Sequence, residues 1–263
     1  GEGEVRLLYV APERLTNEGF VHRLRRIQIA LLAIDEAHCI SEWGHNFRPD
    51  YLKLAEFAVE HNVGRVLALT ATATPSVSND VRKAFEITEG DHVQTGFRRP
   101  NLALHVTPCT AAARVGLLRE RLQAQGGGAT VVYVTLQKTA EFVAEALCAA
   151  GVSARAYHAG LKSDLRDEVQ DAFMADRCQV VVATIAFGMG IDKSDIRAVY
   201  HFNLPKSLEN YAQEIGRAGR DGAPSRCEVF ACGDDTVVLG NFSYGDTPTA
   251  EAISGVVDEM LNE

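Results

Sequence analysis

The feature that most constrains the fold is a repeated alternation of short apolar runs with amphipathic segments. Seven runs are almost continuously apolar, over residues 5–11, 30–34, 66–70, 130–135, 180–184, 198–202 and 227–231. Strands with one solvated face alternate apolar and polar residues, whereas strands covered on both faces are apolar throughout. The runs therefore predict buried strands of mostly parallel sheets, joined by right-handed helical crossovers in an α/β fold.

The segments between the runs carry helix signals. Thr74 precedes Pro75, and a hydroxyl before a proline is typical of a helix N-terminus. Ser163 is predicted to cap a second helix in the same way. Residues 137–150 are apolar on one helical face and stop before Gly151, which is typical of a C-terminal cap.

Two such strand–helix series occur, one on each side of residue 100. Residues 97–101 read Phe-Arg-Arg-Pro-Asn, and a proline disfavours helix at itself and at its neighbour. We therefore predict two domains, 1–100 and 101–240. Residues 241–263 are predicted to form an acidic extension, a turn and a short helix, to which we assign no role.

Composition excludes several classes of protein. No apolar run approaches the roughly 20 residues that cross a bilayer, and no basic-then-apolar leader opens the chain. The six cysteines include no Cys-x-x-Cys pair, so we predict free thiols in a reducing compartment and no zinc site. We expect no membrane partner. The expected location is the bacterial cytoplasm, or the nucleus if the source is eukaryotic.

The net charge of −9 at first argues against a nucleic-acid partner. Residues 1–107 carry 12 basic and 14 acidic residues, and residues 108–240 carry 14 and 16. Residues 241–263 carry no basic residue and five acidic ones, more than half of the excess. The rest of the chain is nearly neutral, which leaves room for a local basic groove.

One buried run ends abruptly in Asp35-Glu36-Ala37-His38. Ligands of open α/β sheets gather beyond the carboxyl ends of strands. An aspartate there can hold Mg²⁺, and a neighbouring glutamate can orient or deprotonate an attacking water. For an isolated Asp-Glu pair, capping of the next helix is an equally good interpretation.

Residues 39–51 follow as a polar loop that contains Trp43, the one tryptophan of the chain, with Phe47 and Arg48. Aromatic side chains beside an arginine suit base stacking, worth about 1–3 kcal/mol per base. A small satellite core under a long loop is the alternative, and the loop by itself does not separate the two.

Together, the acidic box and this aromatic-rich loop resemble the RecQ family of superfamily-two DNA helicases. Further segments resemble the family's motifs in the same order, at residues 9–15, 69–73, 97–101, 183–193 and 213–222. The resemblance covers about residues 5–240. It implies two RecA-like domains, of which the first is incomplete. Together they would form an ATP- and Mg²⁺-dependent motor that unwinds DNA with 3′-to-5′ polarity in repair or recombination. The motor would work by opening and closing the cleft between the domains.

The resemblance also implies nucleotide-site residues. Asp35 would hold Mg²⁺, with Glu36 and His38 completing the catalytic box. Arg220 is the expected finger on the transferred phosphate and Arg217 its phosphate-binding companion; an arginine finger is worth about 10³–10⁵ in rate in other nucleotide enzymes. Two surface arginines in a flexible loop are the alternative. The same set includes Gln213, Gly188 at a sharp turn, and Asp192 at the ribose or at a domain-coupling partner.

A second implied set contacts single-stranded DNA: Trp43, His45, Phe47, Arg48, Thr135, His158 and Thr184. Thr70 and Thr72 are expected to couple hydrolysis to domain movement by bonding to segment 35–36. The alternatives are that Thr70 and Thr72 cap a helix, that Thr184 lies in a plain turn, and that His158 is structural.

The chain contains no Gly-x-x-x-x-Gly-Lys-Ser/Thr loop, which cradles the nucleotide phosphates. The family places that loop, and its adenine-reading glutamine, ahead of the acidic box. We therefore expect this chain alone to hydrolyse ATP poorly or not at all. An RNA helicase of the same superfamily and a non-catalytic nucleic-acid-binding fragment are the competing hypotheses, and the sequence does not predict the oligomeric state.

Overall fold

The alternation of strands and helices is present in the computed structural model, which describes residues 6–42, 47–96, 98–187 and 191–244, with side chains to 241. The chain forms two compact units that divide after residue 97. Both units are α/β with parallel sheets, as predicted. Within the described ranges, no helix has the length and apolar character that a membrane span needs.

In its described residues, the first unit contains two parallel strands and three helices. β1 (Leu32–Ile34) pairs with β2 (Val66–Ala68). The helices are α1 (Glu18–Leu24), α2 (Pro49–Glu60) and α3 (Pro75–Ala84). Short 3₁₀ turns lie at Pro12–Thr16, Ala37–Ile40 and Glu89–Asp91.

The predicted cap of α3 is confirmed. The Thr74 hydroxyl accepts a hydrogen bond from the Val77 backbone N–H at 3.4 Å, and Pro75 occupies the first turn. Val77 and Val81 face inward and pack with Ile34 and residues of α2 in the core of this unit. The capped helix thereby covers the end of β1, where the acidic box begins.

The predicted strand over residues 5–11 is wrong. Residues 6–11 are described without strand structure, and the side chains of Leu7 and Tyr9 are 69% and 88% exposed. A strand requires a neighbour for its backbone groups. Within the described part of the chain, no strand lies beside this segment.

The second unit is built on six parallel strands in the order β3-β8-β7-β4-β6-β5. Their ranges are β3 (Leu102–Pro108), β4 (Ala129–Tyr133), β5 (Ala154–Tyr157), β6 (Val180–Ala183), β7 (Ile196–His201) and β8 (Ser225–Ala231). The accompanying helices are α4 (Arg114–Gln125), α5 (Gln137–Ala149), α6 (Ser163–Met174), α7 (Leu208–Ile215) and α8 (Asp235–Tyr244), with a 3₁₀ turn at Ala111–Ala113.

The interior strands of this sheet are covered on both faces. Along β4, Val131 belongs to one core cluster and Val132 to the other, and both are fully buried. This two-sided burial is the reason for the continuous apolar runs. α5 ends as predicted before Gly151, whose φ is +83°, but Ser163 is the first residue of α6 and does not cap it.

A buried carboxylate fastens β8 to its neighbours. Glu228 is fully buried and accepts hydrogen bonds from the Thr107 hydroxyl at 2.7 Å, from Arg226 Nε at 2.7 Å and from Arg121 Nε at 3.1 Å. Burial alone would raise the pKa of Glu228, but the bonds from Arg226, Thr107 and Arg121 hold that pKa below its ordinary value. Glu228 therefore stays ionised and ties β3, β8 and α4 together.

Candidate functional site

The acidic box forms a tight turn at the carboxyl end of β1. Asp35 and Glu36 are exposed, and Asp35 Oδ1 accepts a hydrogen bond from the Glu36 backbone N–H at 2.9 Å. Glu36 has a left-handed backbone with φ +51°, uncommon for a residue with a side chain. This bend buries the 3₁₀ turn Ala37–Ile40 while both carboxylates remain at the surface, where a hydrated cation can reach them.

His38 connects the box to the end of β2. Its side chain is buried, and its Nδ1 lies 2.9 Å from the Thr70 hydroxyl and 3.3 Å from Glu36 Oε2. The Thr72 backbone N–H donates to the same Thr70 hydroxyl at 3.3 Å. Thr70 therefore reaches the box through His38. The sequence predicts direct bonds from Thr70 and Thr72 to segment 35–36, and the contacts among the described residues include no such bond.

The aromatic loop is described only in part. Trp43 and His45 lie outside the described residues. Phe47 is half-buried and Arg48 is exposed, with its guanidinium 3.9 Å from Glu13. The Arg48 backbone N–H donates to the Cys39 carbonyl at 2.9 Å, which anchors the end of the loop beside the acidic box.

Three of the predicted DNA-contacting residues meet at one edge of the second sheet. Thr135, His158 and Thr184 follow β4, β5 and β6, which are neighbours in the order β4-β6-β5. The Thr184 backbone N–H donates to the Tyr157 carbonyl at 3.2 Å. Parallel strands bring their carboxyl ends to the same edge, so residues far apart in sequence share a surface there.

These three side chains differ in exposure. Thr184 and His158 are buried, at 9% and 3%, whereas Thr135 is half-buried. His158 Nε2 lies 3.2 Å from Glu141 Oε1 on α5. The Thr135 backbone N–H donates to Asn203 Oδ1 at 3.2 Å. A ligand approaching this edge would meet Thr135 first.

The loop after α7 presents Arg217 and Arg220 and is braced from the start of the unit. Arg99 donates from Nη1 to the Gly216 carbonyl at 2.8 Å and from Nη2 to the Gly219 carbonyl at 2.6 Å. Asn101 Nδ2 also donates to the Gly219 carbonyl, at 2.9 Å. The two arginines therefore sit on a fixed loop, which disfavours the alternative of a flexible surface segment.

The arginine side chains have different surroundings. Arg220 is partly exposed, and its Nη1 lies 2.8 Å from Asp192 Oδ1. Arg217 is half-buried and lies close to the phenol of Tyr133. Gln213 is half-buried on α7, and Gly188 lies outside the described residues. The structure thus joins two residues of the predicted nucleotide set, Arg220 and Asp192.

Sequence reasoning missed the residues that hold this set in place. Lys193 is buried, and its Nζ lies 2.8 Å from Asp176 and 3.0 Å from Asp195. Burial would lower the pKa of Lys193, but its bonds to the two aspartates raise it above its ordinary value. Arg99 and Asn101 also hold the arginine loop. Both belong to residues 97–101, which we interpret from the sequence only as the boundary between the two domains.

Two family models match the chain. Residues 2–81 match the DEAD/DEAH box helicase family, and residues 113–222 match the helicase conserved C-terminal domain. A solved structure of Saccharomyces cerevisiae Dbp5 bound to RNA and ADP BeF3 superposes with a TM-score of 0.63 at 19% identity, over 87% of this chain and 62% of that one. At this identity the likeness shows the fold alone.

Similar curated proteins are more specific. The chain is 45% identical to the ATP-dependent DNA helicase RecQ of Bacillus subtilis, over 90% of this chain and 40% of the relative. It is 43% identical to RecQ of Pasteurella multocida, over 87% and 36%, and 40% identical to the probable ATP-dependent DNA helicase RecS of B. subtilis, over 96% and 51%. The chain thus spans about half or less of these relatives. With both helicase models matched and this identity across most of its length, the chain belongs to the RecQ family of superfamily-two helicases.

Proposed function

We propose that the chain supplies part of an ATP-driven motor that translocates on single-stranded DNA and unwinds duplex DNA with 3′-to-5′ polarity. The observation that carries the proposal is the bracing of the Arg217–Arg220 loop by Arg99 and Asn101. A catalytic arginine acts on a phosphate only if its position is fixed before the charge develops. The names of the relatives support DNA, and not RNA, as the substrate.

ATP and Mg²⁺ are the proposed cofactors, and the residues present fit them. Asp35 offers an exposed carboxylate at a strand end, the hard oxygen ligand that Mg²⁺ prefers, directly or through water. The metal, when bound, would offset the negative charge of the phosphates. Glu36 would orient the attacking water, and His38 would link this turn to Thr70.

On the second unit, Arg217 and Arg220 are proposed to stabilise the charge of the transferred phosphate. Asp192 holds Arg220 in this structure, so a phosphate has to compete with that carboxylate. Gln213, Gly188 and Asp192 complete the proposed nucleotide set. Because the chain contains no P-loop motif, we propose that it does not hydrolyse ATP efficiently by itself.

The proposed DNA contacts are Trp43, His45, Phe47 and Arg48 in the first unit and Thr135, His158 and Thr184 in the second. The strand-end position of the last three supports this assignment. We propose that the protein is located with the DNA of the cell, in the cytoplasm of a bacterium or in the nucleus of a eukaryote. A noncatalytic binding module remains the competing function for the chain taken alone.

The test compares the chain with the same chain preceded by the coding sequence that lies in frame upstream of it in its gene. ATP hydrolysis is measured with single-stranded DNA, single-stranded RNA or neither. We expect stimulation by DNA in the longer protein and a loss of about 10³-fold or more in Arg220→Ala. Arg119→Ala, at an exposed position on α4, is the matched control and should keep full turnover. Equal stimulation by RNA, or none by either, would remove the DNA-motor proposal.

A further inference from the structure

A cluster of buried polar side chains lies beneath the arginine loop, and none of its members is itself a proposed ligand contact. Tyr133 ends β4 and His201 ends β7, and their rings stack with centroids 5.5 Å apart. His201 Nε2 lies 2.7 Å from Glu214 Oε2 on α7. The ring of Tyr211, also on α7, packs against His201 at 5.1 Å. The cluster thus links the ends of two central strands to the helix that precedes Arg217.

The Tyr133 hydroxyl connects this cluster to a second segment. It donates a hydrogen bond to the Phe187 carbonyl at 3.1 Å in a fully buried setting. The Phe187 backbone N–H in turn donates to the Thr184 carbonyl at 3.0 Å, closing the turn that follows β6. One phenol therefore holds the turn that begins with Thr184, a proposed DNA contact.

The same phenol lies beside Arg217. Burial, the largest effect, raises the pKa of Tyr133, the nearby Glu214 raises it further, and the Arg217 guanidinium opposes the rise through its charge and a hydrogen bond. The net direction is upward, so the phenol stays protonated near neutral pH and remains a donor. The hydroxyl therefore bonds to the Thr184–Phe187 turn, and the ring stacks on His201, whose partner Glu214 lies on α7 just ahead of Arg217.

We propose that Tyr133 is a positioning residue that fixes the Thr184–Phe187 turn and Arg217 relative to each other, and so transmits DNA binding to ATP hydrolysis. The inference rests on the proposed function, because it assigns a coupling role within the same site. Tyr133 touches neither nucleotide nor DNA in this scheme. Its hydroxyl holds the turn that carries one proposed contact set, and its ring packs on the His201–Glu214 pair of α7, which leads into the loop of the other.

Tyr133→Phe is the direct test, since it removes one oxygen and keeps the ring that packs on His201. Tyr200→Phe is a matched control: Tyr200 is also fully buried, lies on the neighbouring strand β7 within the other core cluster, and bonds through its hydroxyl to Gln125 Oε1 at 3.3 Å. Both variants lose one buried hydroxyl from the same sheet, but only the first loses the hydrogen bond to Phe187 and the polar group whose pKa responds to Arg217.

In the protein with its upstream segment, we expect Tyr133→Phe to lower ATP turnover at saturating single-stranded DNA about tenfold, the scale of a small displacement of a catalytic group. The dissociation constant for DNA should change less than twofold, and Tyr200→Phe should match the wild type. Turnover in Tyr133→Phe equal to that of the wild type or of Tyr200→Phe would overturn the inference, as would a parallel loss of DNA affinity and melting temperature.

Amide hydrogen exchange on the 263-residue chain separates failure of the inference from failure of the proposed function. We expect Tyr133→Phe to speed exchange at residues 184–187 and 214–218, and Tyr200→Phe to leave both segments unchanged. If DNA fails to stimulate the wild type, the proposed function falls, while faster exchange in both segments still supports Tyr133 as their common anchor. Unchanged exchange in Tyr133→Phe would overturn that anchor.

Discussion

Replacing Gly219 by alanine tests whether the arginine loop is held as rigidly as its contacts indicate. Gly219 has φ +54°, and a Cβ added there would lie 2.6 Å from Asn101 Nδ2, 2.7 Å from Ser225 Oγ and 2.8 Å from the Ala223 carbonyl. Gly222 has φ +82°, and a Cβ there would meet nothing within 4 Å. Both alanines would adopt a left-handed backbone, but only Gly219→Ala also displaces the brace.

The expected magnitudes follow from these contacts. The left-handed backbone costs an alanine roughly 1–2 kcal/mol at either position. At Gly219, overpacking adds about 1–3 kcal/mol. The Asn101 amide, which bonds to the Gly219 and Ala223 carbonyls at 2.9 and 3.0 Å, loses about 1 kcal/mol for each bond that breaks. With one or both Asn101 bonds broken, the totals are about 3–7 kcal/mol for Gly219→Ala and about 1–2 kcal/mol for Gly222→Ala.

The assay is thermal unfolding followed by far-ultraviolet circular dichroism, with guanidinium unfolding as a second measure. A unit of this size loses about 2–4 °C of melting temperature per kcal/mol. We therefore expect a loss of roughly 6–28 °C for Gly219→Ala and of roughly 2–8 °C for Gly222→Ala. Equal losses in the two variants would refute the reasoning, because they would mean that the brace yields to an extra methyl group at no cost.

Two further predictions concern single hydrogen-bonding groups. Glu228→Gln should lower the free energy of unfolding of the second unit by about 2–4 kcal/mol in chemical unfolding. The loss is smaller than for a fully buried ion pair because both arginine partners are partly exposed. Glu120→Gln, at an exposed position, should change that free energy by no more than about 0.5 kcal/mol. Since folding lowers the pKa of Glu228, the stability difference should be complete above its ordinary value of 4.5 and shrink as pH falls through the folded value; a difference that grows in acid would contradict the assignment. Thr70→Val should cost about 1 kcal/mol and reduce DNA-stimulated ATP turnover, because it removes the hydroxyl that links His38 to the end of β2. Thr16→Val, at an exposed hydroxyl, should change neither, and equal turnover in the two variants would count against coupling through His38.

The strands that the sequence predicts and those that it misses differ in position. The interior strands of the second sheet, β8, β7, β4 and β6, are covered on both faces, and their continuous apolar runs predict the ends of these strands to within two residues. The missed strands, β3 and β5, are the two edges. On β3, Leu104 and Val106 are 57% and 68% exposed, and the strand ends in a proline. An edge strand needs only one covered face and tolerates proline, so it leaves no continuous run to read.

The candidate site, like the sheet, has a part that the sequence predicts and a part that it does not. Sequence motifs predict which residues gather at strand ends, because the position of a strand end follows from the run before it. They do not predict the partners of those residues. Arg99 reaches the carbonyls of Gly216 and Gly219, which are 117 and 120 positions away, and Thr70 meets His38 across 32 positions. Such contacts depend on how elements pack and leave no periodicity in the sequence.

The placement of charge also bears on how an acidic chain can bind DNA. Several cations of the second unit already hold carboxylates: Arg114 pairs with Asp235, Arg121 and Arg226 with Glu228, and Lys193 with Asp176 and Asp195. These charges stabilise the fold and are poorly placed to neutralise phosphates. The proposed DNA edge of this unit offers hydroxyls, a histidine and strand-end backbone groups instead. Such an edge positions a nucleic-acid strand by short-range hydrogen bonds more than by long-range attraction, which reconciles a net charge of −9 with the proposed partner.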